Sequence, residues 1–329
     1  MKKSYKALLI GAGVLSLGAT AFAFVSYSIT KKLVNVALDR EPPKASAKSR
    51  FRISGIAEKD PMGKKISDAS EKLKDSCHKT VEIKGPGGEK LVGHLRLSEN
   101  AQRIVIAVHG WRSSWNNDFG MIADFWKDNG CHVLYVEQRG QNGSEGDHMG
   151  FGMIERYDCL CWVNWVIENL DSSLPIYLAG ISMGASTVLM TLGLNLPQNI
   201  CGVIADSGFT SAHDIWKHVT ENNLHLSYRM MGFLADSMCK KKINMGTREY
   251  STMDALKNSD VPVLLIHGAH DKFVPVSMTY ENYLAAKSEK ELLIVPGAGH
   301  GRSYLMDKER YERTVLGFWR RFDKSFKIF

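Results

Sequence analysis

The sequence predicts an α/β protein with a doubly wound, mostly parallel sheet. Continuous apolar runs rich in β-branched residues recur along the chain, and such runs are typical of parallel strands that helices cover on both faces. Segments with helical apolar spacing separate these runs, and this alternation of strands and helices indicates a parallel sheet. The chain has 329 residues, 44% of them hydrophobic and 23% charged. This length is enough for one large domain with a short appendage, or for two small domains.

The chain begins with a candidate membrane segment. Three lysines precede an uncharged, mostly apolar run from Ala7 to Tyr27, and these roughly 21 residues are long enough to cross a bilayer as a helix. Ala21-Phe22-Ala23 has the form of a signal-peptide cleavage site, so a cleaved signal peptide remains an alternative. Because the apolar run continues past that site, we expect residues 1–27 to stay as an anchor, with the folded part outside the cytoplasm. A cleaved segment would instead give a secreted protein.

We interpret residues 28–79 as a connector next to the membrane. Glu41-Pro42-Pro43 would end any helix that leaves the bilayer. The segment from Ile66 to Cys77 has the spacing of a short amphipathic helix. No pattern in this connector suggests chemistry.

A β-hairpin opens the regular part of the chain, where two alternating strands, Val81–Ile83 and Leu91–Leu97, flank the turn Gly85-Pro86-Gly87-Gly88. Six apolar strands are predicted after it, at Ile104–Val108, Val133–Val136, Ile176–Leu178, Val203–Ala205, Val263–Ile266 and Leu292–Val295. Helices are predicted at Phe119–Asn129, Ile154–Asn169, Ala185–Leu194, Val276–Ala286 and Lys308–Phe326. We expect residues 80–206 and 253–329 to form this core.

The interval from Ser207 to Thr252 is far too long for a simple connection between the sixth and seventh strands. Its helical apolar spacing includes Trp216, Tyr228 and Met231. We therefore predict a small helical cap at residues 207–252, inserted over the carboxyl edge of the sheet. Its methionine and aromatic side chains either line an adaptable apolar pocket or only pack the cap onto the core.

A G-x-S-x-G motif, Gly180-Ile181-Ser182-Met183-Gly184, follows the strand at Ile176 and precedes a helix. In this strand–turn–helix context the motif predicts a sharp turn that exposes the serine hydroxyl above the sheet. A Cβ at either glycine would collide with neighbouring backbone, and the helix directs its N-terminal N–H groups at the reacting oxygen. Ser182 is therefore the predicted nucleophile, and a serine that only caps an ordinary helix is the alternative.

A serine hydroxyl is a weak nucleophile until a base takes its proton. His300 lies in a glycine-rich segment directly after the last predicted strand, and Asp271 follows the strand that ends at His267. An aspartate there would fix the histidine tautomer and stabilise the imidazolium that forms. The chain order Ser182, Asp271, His300 is the one expected with this motif, so we predict His300 as general base and Asp271 as its orienting acid.

The loop His109-Gly110-Trp111 ends the strand that begins at Ile104. The backbone N–H groups of Trp111 and Met183 are the predicted oxyanion-hole donors, which bind the negative oxygen of the transition state. We expect His109 to brace this loop rather than act as a base. We expect Asp206, which ends the sixth strand, to order the start of the cap rather than to replace Asp271.

Together these motifs resemble those of the α/β-hydrolase superfamily, in particular its serine aminopeptidase-like and lysophospholipase-like branch and the membrane-anchored bacterial hydrolases within it. The resemblance runs from about Val81 to the C-terminus. It is carried by His109-Gly110-Trp111, Glu137-Gln138-Arg139-Gly140, Gly143-Ser144-Glu145-Gly146, the serine motif, Gly268-Ala269-His270-Asp271 with Val274-Pro275, and Gly299-His300. It implies the α/β-hydrolase fold and a Ser-Asp-His triad. Glu137 stands where the family usually has an aspartate, and we expect it to have a structural role.

A triad of this kind supports cleavage of esters, thioesters or amides through an acyl-enzyme, and the fold alone does not choose among them. We expect an esterase that acts on small-molecule or lipid-like acyl esters. A peptidase or amidase acting on short peptides is the alternative. A non-catalytic binding protein on the same scaffold is a third hypothesis, which the complete set of Ser182, Asp271 and His300 disfavours.

Other functional classes have little support in the composition. The net charge is +7, but no basic stripe is interleaved with aromatic residues, so we expect no nucleic-acid partner. The 11 histidines and 6 cysteines include no H-E-x-x-H motif and no CxxC pair, so we expect no metal site and no cofactor. Most of the cysteines should be buried free thiols.

Overall fold

The structure, a computed structural model, describes residues 23–41 and 61–323. Within them, eight strands form one sheet in the order β1-β2-β4-β3-β5-β6-β7-β8. The strands are β1 (Lys79–Lys84), β2 (Lys90–Arg96), β3 (Arg103–Val108), β4 (Cys131–Val136), β5 (Ile176–Ile181), β6 (Ile200–Asp206), β7 (Val263–Gly268) and β8 (Lys290–Val295). Strand β2 pairs antiparallel with β1 and β4, and the remaining neighbours are parallel. The predicted doubly wound sheet is confirmed, and each predicted strand overlaps an observed one.

Strand β3 shows why the apolar runs predicted buried strands. Val105 and Ala107 pack into one core cluster, whereas Ile104, Ile106 and Val108 pack into the other. Successive side chains of a strand point to opposite faces of the sheet, so the two clusters lie on its two sides. A strand that is buried on both faces has no polar side, and its sequence is therefore continuously apolar.

Helices from different parts of the chain cover the two faces. Those outside the cap, within the described residues, are 23–38, Pro61–Asp75, Trp115–Phe119, Ala123–Asp128, Glu155–Asn169, Met183–Thr191, Thr252–Leu256, Val276–Ala285, Ser303–Met306 and Lys308–Phe322. Within the predicted helix Phe119–Asn129, a helix is observed over Ala123–Asp128, and Phe119 is instead the last residue of a separate short helix, Trp115–Phe119. This short helix begins after Ser114, whose side chain caps it, and Gly120 is its C-cap. A Cβ at Gly120 would lie 2.8 Å from the backbone of Ser70, so the close approach of the Pro61–Asp75 helix requires glycine at this position.

The helix at residues 23–38, called here the N-terminal helix, packs against the body of the protein. Val34 and Leu38 are buried in one cluster with Ala235 and Cys239. Most of the predicted anchor, residues 1–22, lies outside the described residues. Within residues 23–41 and 61–323, no helix has both the length and the apolar character needed to span a bilayer.

The interval 207–252, predicted as a cap, contains two helices, Ala212–His218 and Tyr228–Ile243, joined by a π-helical turn at Val219–Asn223. Ser211 caps the first of them through a side-chain hydrogen bond to the backbone N–H of Asp214. The second helix, called here the cap helix, has three consecutive lysines in its last turn. Positive charge is favourable there because of the helix dipole. Both helices contribute to the apolar cluster that includes Val34.

Candidate active site

Ser182 lies on a sharp turn between β5 and the helix Met183–Thr191. Its backbone has φ 56° and ψ −119°, a conformation that a residue with a side chain rarely adopts. Its N–H donates to the carbonyl of Asp206 at 2.8 Å, which ties the turn to the end of the neighbouring strand β6. The turn therefore lifts the serine hydroxyl above the carboxyl edge of the sheet, at the N-terminus of the following helix.

The glycines of the motif are required by space. A Cβ at Gly184 would lie 1.9 Å from the carbonyl oxygen of Val108, and one at Gly180 would lie 2.3 Å from the carbonyl oxygen of Gly184. Neither contact is possible for a real side chain. A side chain at either glycine would therefore collide with backbone atoms, as the sequence pattern predicts.

The structure brings Ser182, His300 and Asp271 together. The hydroxyl Oγ of Ser182 lies 2.8 Å from Nε2 of His300, and Nδ1 of His300 lies 2.7 Å from Oδ2 of Asp271. Because the carboxylate can only accept, Nδ1 carries the proton and Nε2 is free to accept the proton of the serine hydroxyl. Ser182 and Asp271 are buried, whereas His300 is partly exposed on its loop after β8.

Asp271 has three further contacts besides that with His300, and none of them was expected from sequence. Its Oδ1 accepts from the backbone N–H groups of Phe273 at 2.8 Å and Val274 at 2.9 Å. His267 Nε2 lies 3.1 Å from its Oδ2 and 2.9 Å from the carbonyl of Val274, and both of these are acceptors, so this nitrogen carries a proton. Burial opposes the ionisation of Asp271, but the hydrogen bonds from His267 and His300 outweigh it and hold the pKa of this carboxyl well below its usual range.

The loop at Gly110 is held so that the predicted oxyanion hole can form. His109 is fully buried, its Nδ1 donates to the carbonyl of Gly110 at 2.7 Å, and its Nε2 accepts from the N–H of Gln138 at 3.1 Å. In a trans peptide the carbonyl of Gly110 and the N–H of Trp111 point in opposite directions, so this contact fixes the direction of the Trp111 N–H. A Cβ at Gly110 would lie 3.3 Å from the Cβ of Ser182, which shows how closely the loop passes the serine.

His109 is placed to brace this loop. Burial lowers its pKa, which keeps the imidazole neutral and able to accept from Gln138. The second predicted donor, the N–H of Met183, lies in the first turn of its helix, where backbone N–H groups have no partner within the helix.

Asp206 and Glu137 have structural contacts. Oδ1 of Asp206 accepts from the hydroxyls of Ser207 at 2.9 Å and Ser303 at 3.0 Å, and burial raises the pKa of this carboxyl. Glu137 pairs with Nε2 of His94 at 2.8 Å and accepts from the backbone N–H of Gly143. Asp206 thus joins the strand that precedes the cap to the segment after His300, and Glu137 holds a turn.

Ser182 lines a mostly apolar cavity of about 110 Å³. The core contributes Trp111, Phe151, Ser182 and Phe273 to its lining, the cap region contributes Phe209, Ile215, Trp216, Val219, Thr220, Leu224, Tyr228, Met231 and Ala235, and the N-terminal helix contributes Thr30, Leu33, Val34, Val36 and Ala37. Part of the methionine and aromatic stripe of the cap therefore lines a pocket. Phe233, an aromatic residue of the cap helix, is instead 79% exposed.

Sequence reasoning missed the contribution of the N-terminal helix, because the pattern of residues 28–79 indicates a connector without chemistry. The signal was available in the spacing of Thr30, Val34, Ala37 and Leu38, which lie three or four residues apart and so share one face of a helix. The role of His267 was also missed. A histidine that ends an apolar strand gives no sign of which carboxylate it will contact.

A profile of the prolyl oligopeptidase family matches residues 117–325, which is well over half of the chain and includes Ser182, Asp271 and His300. The chain belongs to the prolyl oligopeptidase family. With the strand order and the solved structures described next, this membership places it in the α/β-hydrolase superfamily and makes it a serine hydrolase.

Three similar proteins illustrate the relationship. The uncharacterized protein YqkD of Bacillus subtilis (strain 168) is 26% identical over 235 residues, which cover 70% of this chain and 75% of that one. A lysophosphatidylserine lipase of Danio rerio is 23% identical over 203 residues, or 59% of this chain and 50% of that one. The structure of an esterase from Pyrococcus furiosus aligns with a TM-score of 0.62 at 24% identity and covers 76% of this chain and 93% of that one, which supports the fold.

Proposed function

We propose that this serine hydrolase is a carboxylesterase that cleaves esters with an apolar acyl group, including lipid-like ones. The observation that carries the proposal is the apolar cavity into which Ser182 opens. An apolar cavity with few polar groups suits an acyl chain, because enclosing each methylene contributes about 0.8 kcal/mol. The names of the Danio rerio lipase and the Pyrococcus furiosus esterase are in keeping with this substrate class.

The geometry supports catalysis through an acyl-enzyme. His300 would take the proton of Ser182 as Oγ attacks the ester carbonyl, and the N–H groups of Trp111 and Met183 would bind the oxyanion. His300 would then give this proton to the leaving alcohol, which departs as the acyl-enzyme forms. In the second half, water would attack the acyl-enzyme, again with His300 as base, and release the acid with Ser182 restored. Asp271 would stay ionised and stabilise the imidazolium in both halves.

A peptidase that acts on short peptides remains the second candidate, because the family is named for an oligopeptidase. The lining of the cavity, as far as the described residues form it, includes no aspartate or glutamate. A site for the free amine of a peptide would be expected to offer such a carboxylate. This difference favours esters.

Purified protein tests the proposal directly. We expect it to hydrolyse p-nitrophenyl acyl esters faster than the matched aminoacyl p-nitroanilides, and Ser182→Ala to remove the ester activity. A fluorophosphonate probe should label Ser182, as phosphorus bonds to Oγ, fluoride leaves and the proton passes to His300. Full ester hydrolysis by Ser182→Ala would refute the proposal, and absence of labelling would favour a binding protein. A preference for the anilides would establish the peptidase instead.

We also propose that the N-terminal segment anchors the enzyme to a membrane, with the folded part outside the cytoplasm. The apolar run from Ala7 to Tyr27 supports this, as do the exposed side chains of Phe24 and Val25 at its described end. A charge in the middle of such a run costs about 2.5–3.5 kcal/mol on insertion. We therefore expect wild-type protein in the membrane fraction and accessible to external protease, and Leu15→Arg in the soluble fraction. Equal partition of both into the soluble fraction would contradict an anchor.

A further inference from the structure

The N-terminal helix forms one wall of the cavity beside Ser182, although it precedes the residues that match the family profile by many positions. Leu33, Val34 and Ala37 line the cavity from this helix, and Trp216 and Met231 line it from the cap region. Residues of the N-terminal helix and of the cap region therefore surround the space in which the acyl group of the proposed ester substrate would lie. Removing the helix would leave this space open on one side.

The last turn of the N-terminal helix is fixed to the oxyanion loop. The guanidinium of Arg112 donates to the carbonyls of Val36 at 2.8 Å and Asp39 at 2.5 Å. The indole N–H of Trp111 donates to the carbonyl of Ala37 at 2.9 Å. The last carbonyls of a helix have no hydrogen-bond partner within it, and a cation near them is favourable. The contacts from Arg112 and Trp111 supply these missing hydrogen bonds, and Arg112 also supplies the positive charge.

Contacts beyond the helix end hold it to two further parts of the protein. The carbonyl of Leu38 accepts from the N–H of Met149 at 2.7 Å. Asp39 forms an ion pair with Lys242 of the cap helix at 2.6 Å, and both side chains are mostly buried. The N-terminal helix therefore has a defined position relative to the cap and to the loop that carries the Trp111 N–H.

We propose that the N-terminal helix is the specificity element that sets which acyl-chain length this enzyme prefers. This rests on the proposed ester function and adds the residues that measure the acyl group. Leu33 limits the depth of the cavity by its size, whereas Ala37 leaves space because its side chain is small. The fixed end of the helix, between Arg112 and Lys242, keeps this wall at a constant distance from Ser182.

Two substitutions of opposite sense test the proposal in the full-length chain. Leu33→Ala enlarges the cavity and should raise kcat/KM for p-nitrophenyl octanoate relative to the butyrate. Ala37→Leu reduces the cavity and should lower the same ratio. We expect each change to be at least about fourfold, which is the effect of one enclosed methylene at about 0.8 kcal/mol. Hydrolysis of the acetate, which scarcely enters the cavity, should stay within about twofold of wild type on the same scale.

The matched control is Lys32→Ala, on an exposed position of the same helix, and it should leave the ratio unchanged. Ratios that stay at the wild-type value in both cavity variants would overturn the proposal, as would an equal shift in Lys32→Ala. If Ala37→Leu does not fold, Val36→Ala takes its place. Like Leu33→Ala, it enlarges the cavity, so it must also raise the octanoate-to-butyrate ratio of kcat/KM.

A second readout separates this inference from the proposed ester function. Fluorophosphonates with short and long alkyl chains react with Ser182 whether or not the natural substrate is an ester. If wild-type protein hydrolyses no ester, the ester proposal fails, but the ratio of labelling rates for the two probes still tests the wall. The ratio should change in opposite directions in Leu33→Ala and Ala37→Leu, and an unchanged ratio would refute the role of the helix.

Discussion

Nε2 of His267 lies 3.1 Å from Oδ2 of Asp271, the same oxygen that accepts from His300. His267 is fully buried, and its Nδ1 lies 2.6 Å from the hydroxyl of Thr279, which donates to it. The proposed triad acid is therefore held by a second imidazole from strand β7, which stabilises its ionised form. His267 is a positioning residue for Asp271.

The first prediction concerns stability at two pH values. His267→Asn keeps a polar atom near Thr279 but removes the donor to Asp271, whereas the longer His267→Gln retains that donor. At pH 7 we expect the free energy of unfolding of His267→Asn to be about 1.5–3 kcal/mol lower than that of His267→Gln. This is the usual contribution of a hydrogen bond to a charged group. Urea unfolding of both variants and wild type measures the difference.

The sign of the pH dependence follows from the lowered pKa of Asp271. A carboxyl with a depressed pKa in the folded state stabilises the protein above its unfolded pKa, about 3.9, and this contribution is lost as the pH falls through the folded value. The difference in free energy of unfolding between His267→Asn and His267→Gln should therefore become smaller below about pH 4. Equal stability of the two at pH 7, or a gap that widens in acid, would show that His267 does not act on the ionised carboxylate.

The second prediction separates the two candidate acids. Asp271→Asn removes the group that fixes the His300 tautomer, and kcat should fall by about 10⁴. In Asp206→Asn, the amide oxygen can still accept from Ser207 and Ser303, so kcat should fall less than about tenfold. Steady-state kinetics on one ester decide the matter, and a larger loss in Asp206→Asn would transfer the acid role to that residue.

The third prediction concerns the brace on the oxyanion loop. His109→Phe keeps a ring but loses the N–H that holds the carbonyl of Gly110, so the Trp111 N–H is no longer fixed. We expect kcat to fall by up to about 10²–10³, the effect of losing one oxyanion donor, with little change in KM. His132→Phe, at the beginning of β4, is the control and should retain activity. A rise in KM at constant kcat would point to a role in substrate binding instead.

The fourth prediction concerns metal removal. Within residues 23–41 and 61–323, no group of three or more His, Cys, Asp or Glu side chains is arranged to hold a metal ion. The proposed mechanism needs only Ser182, His300, Asp271 and two backbone N–H groups. Incubation with EDTA should therefore leave ester hydrolysis unchanged, and a loss that added zinc or magnesium restores would contradict this mechanism.

The sequence by itself determined the sheet and the residues of the candidate triad. Continuous apolar runs such as Ile104–Val108 indicate strands because burial on both faces leaves no polar positions. The motif around Ser182 predicted a turn because only glycine fits where backbone atoms approach closely. These are local constraints, and a local constraint can be seen in a short stretch of sequence.

The tertiary structure decided which side chains meet. The contact between His267 and Asp271 depends on how the chain turns after β7, and spacing alone does not reveal it. The N-terminal helix gains its place at the cavity from contacts with Arg112 and Lys242, which are far away in the sequence. The sequence determined the apolar face of that helix, but the surface that the face covers is settled only when the whole chain packs, because burial of apolar surface has no preferred partner.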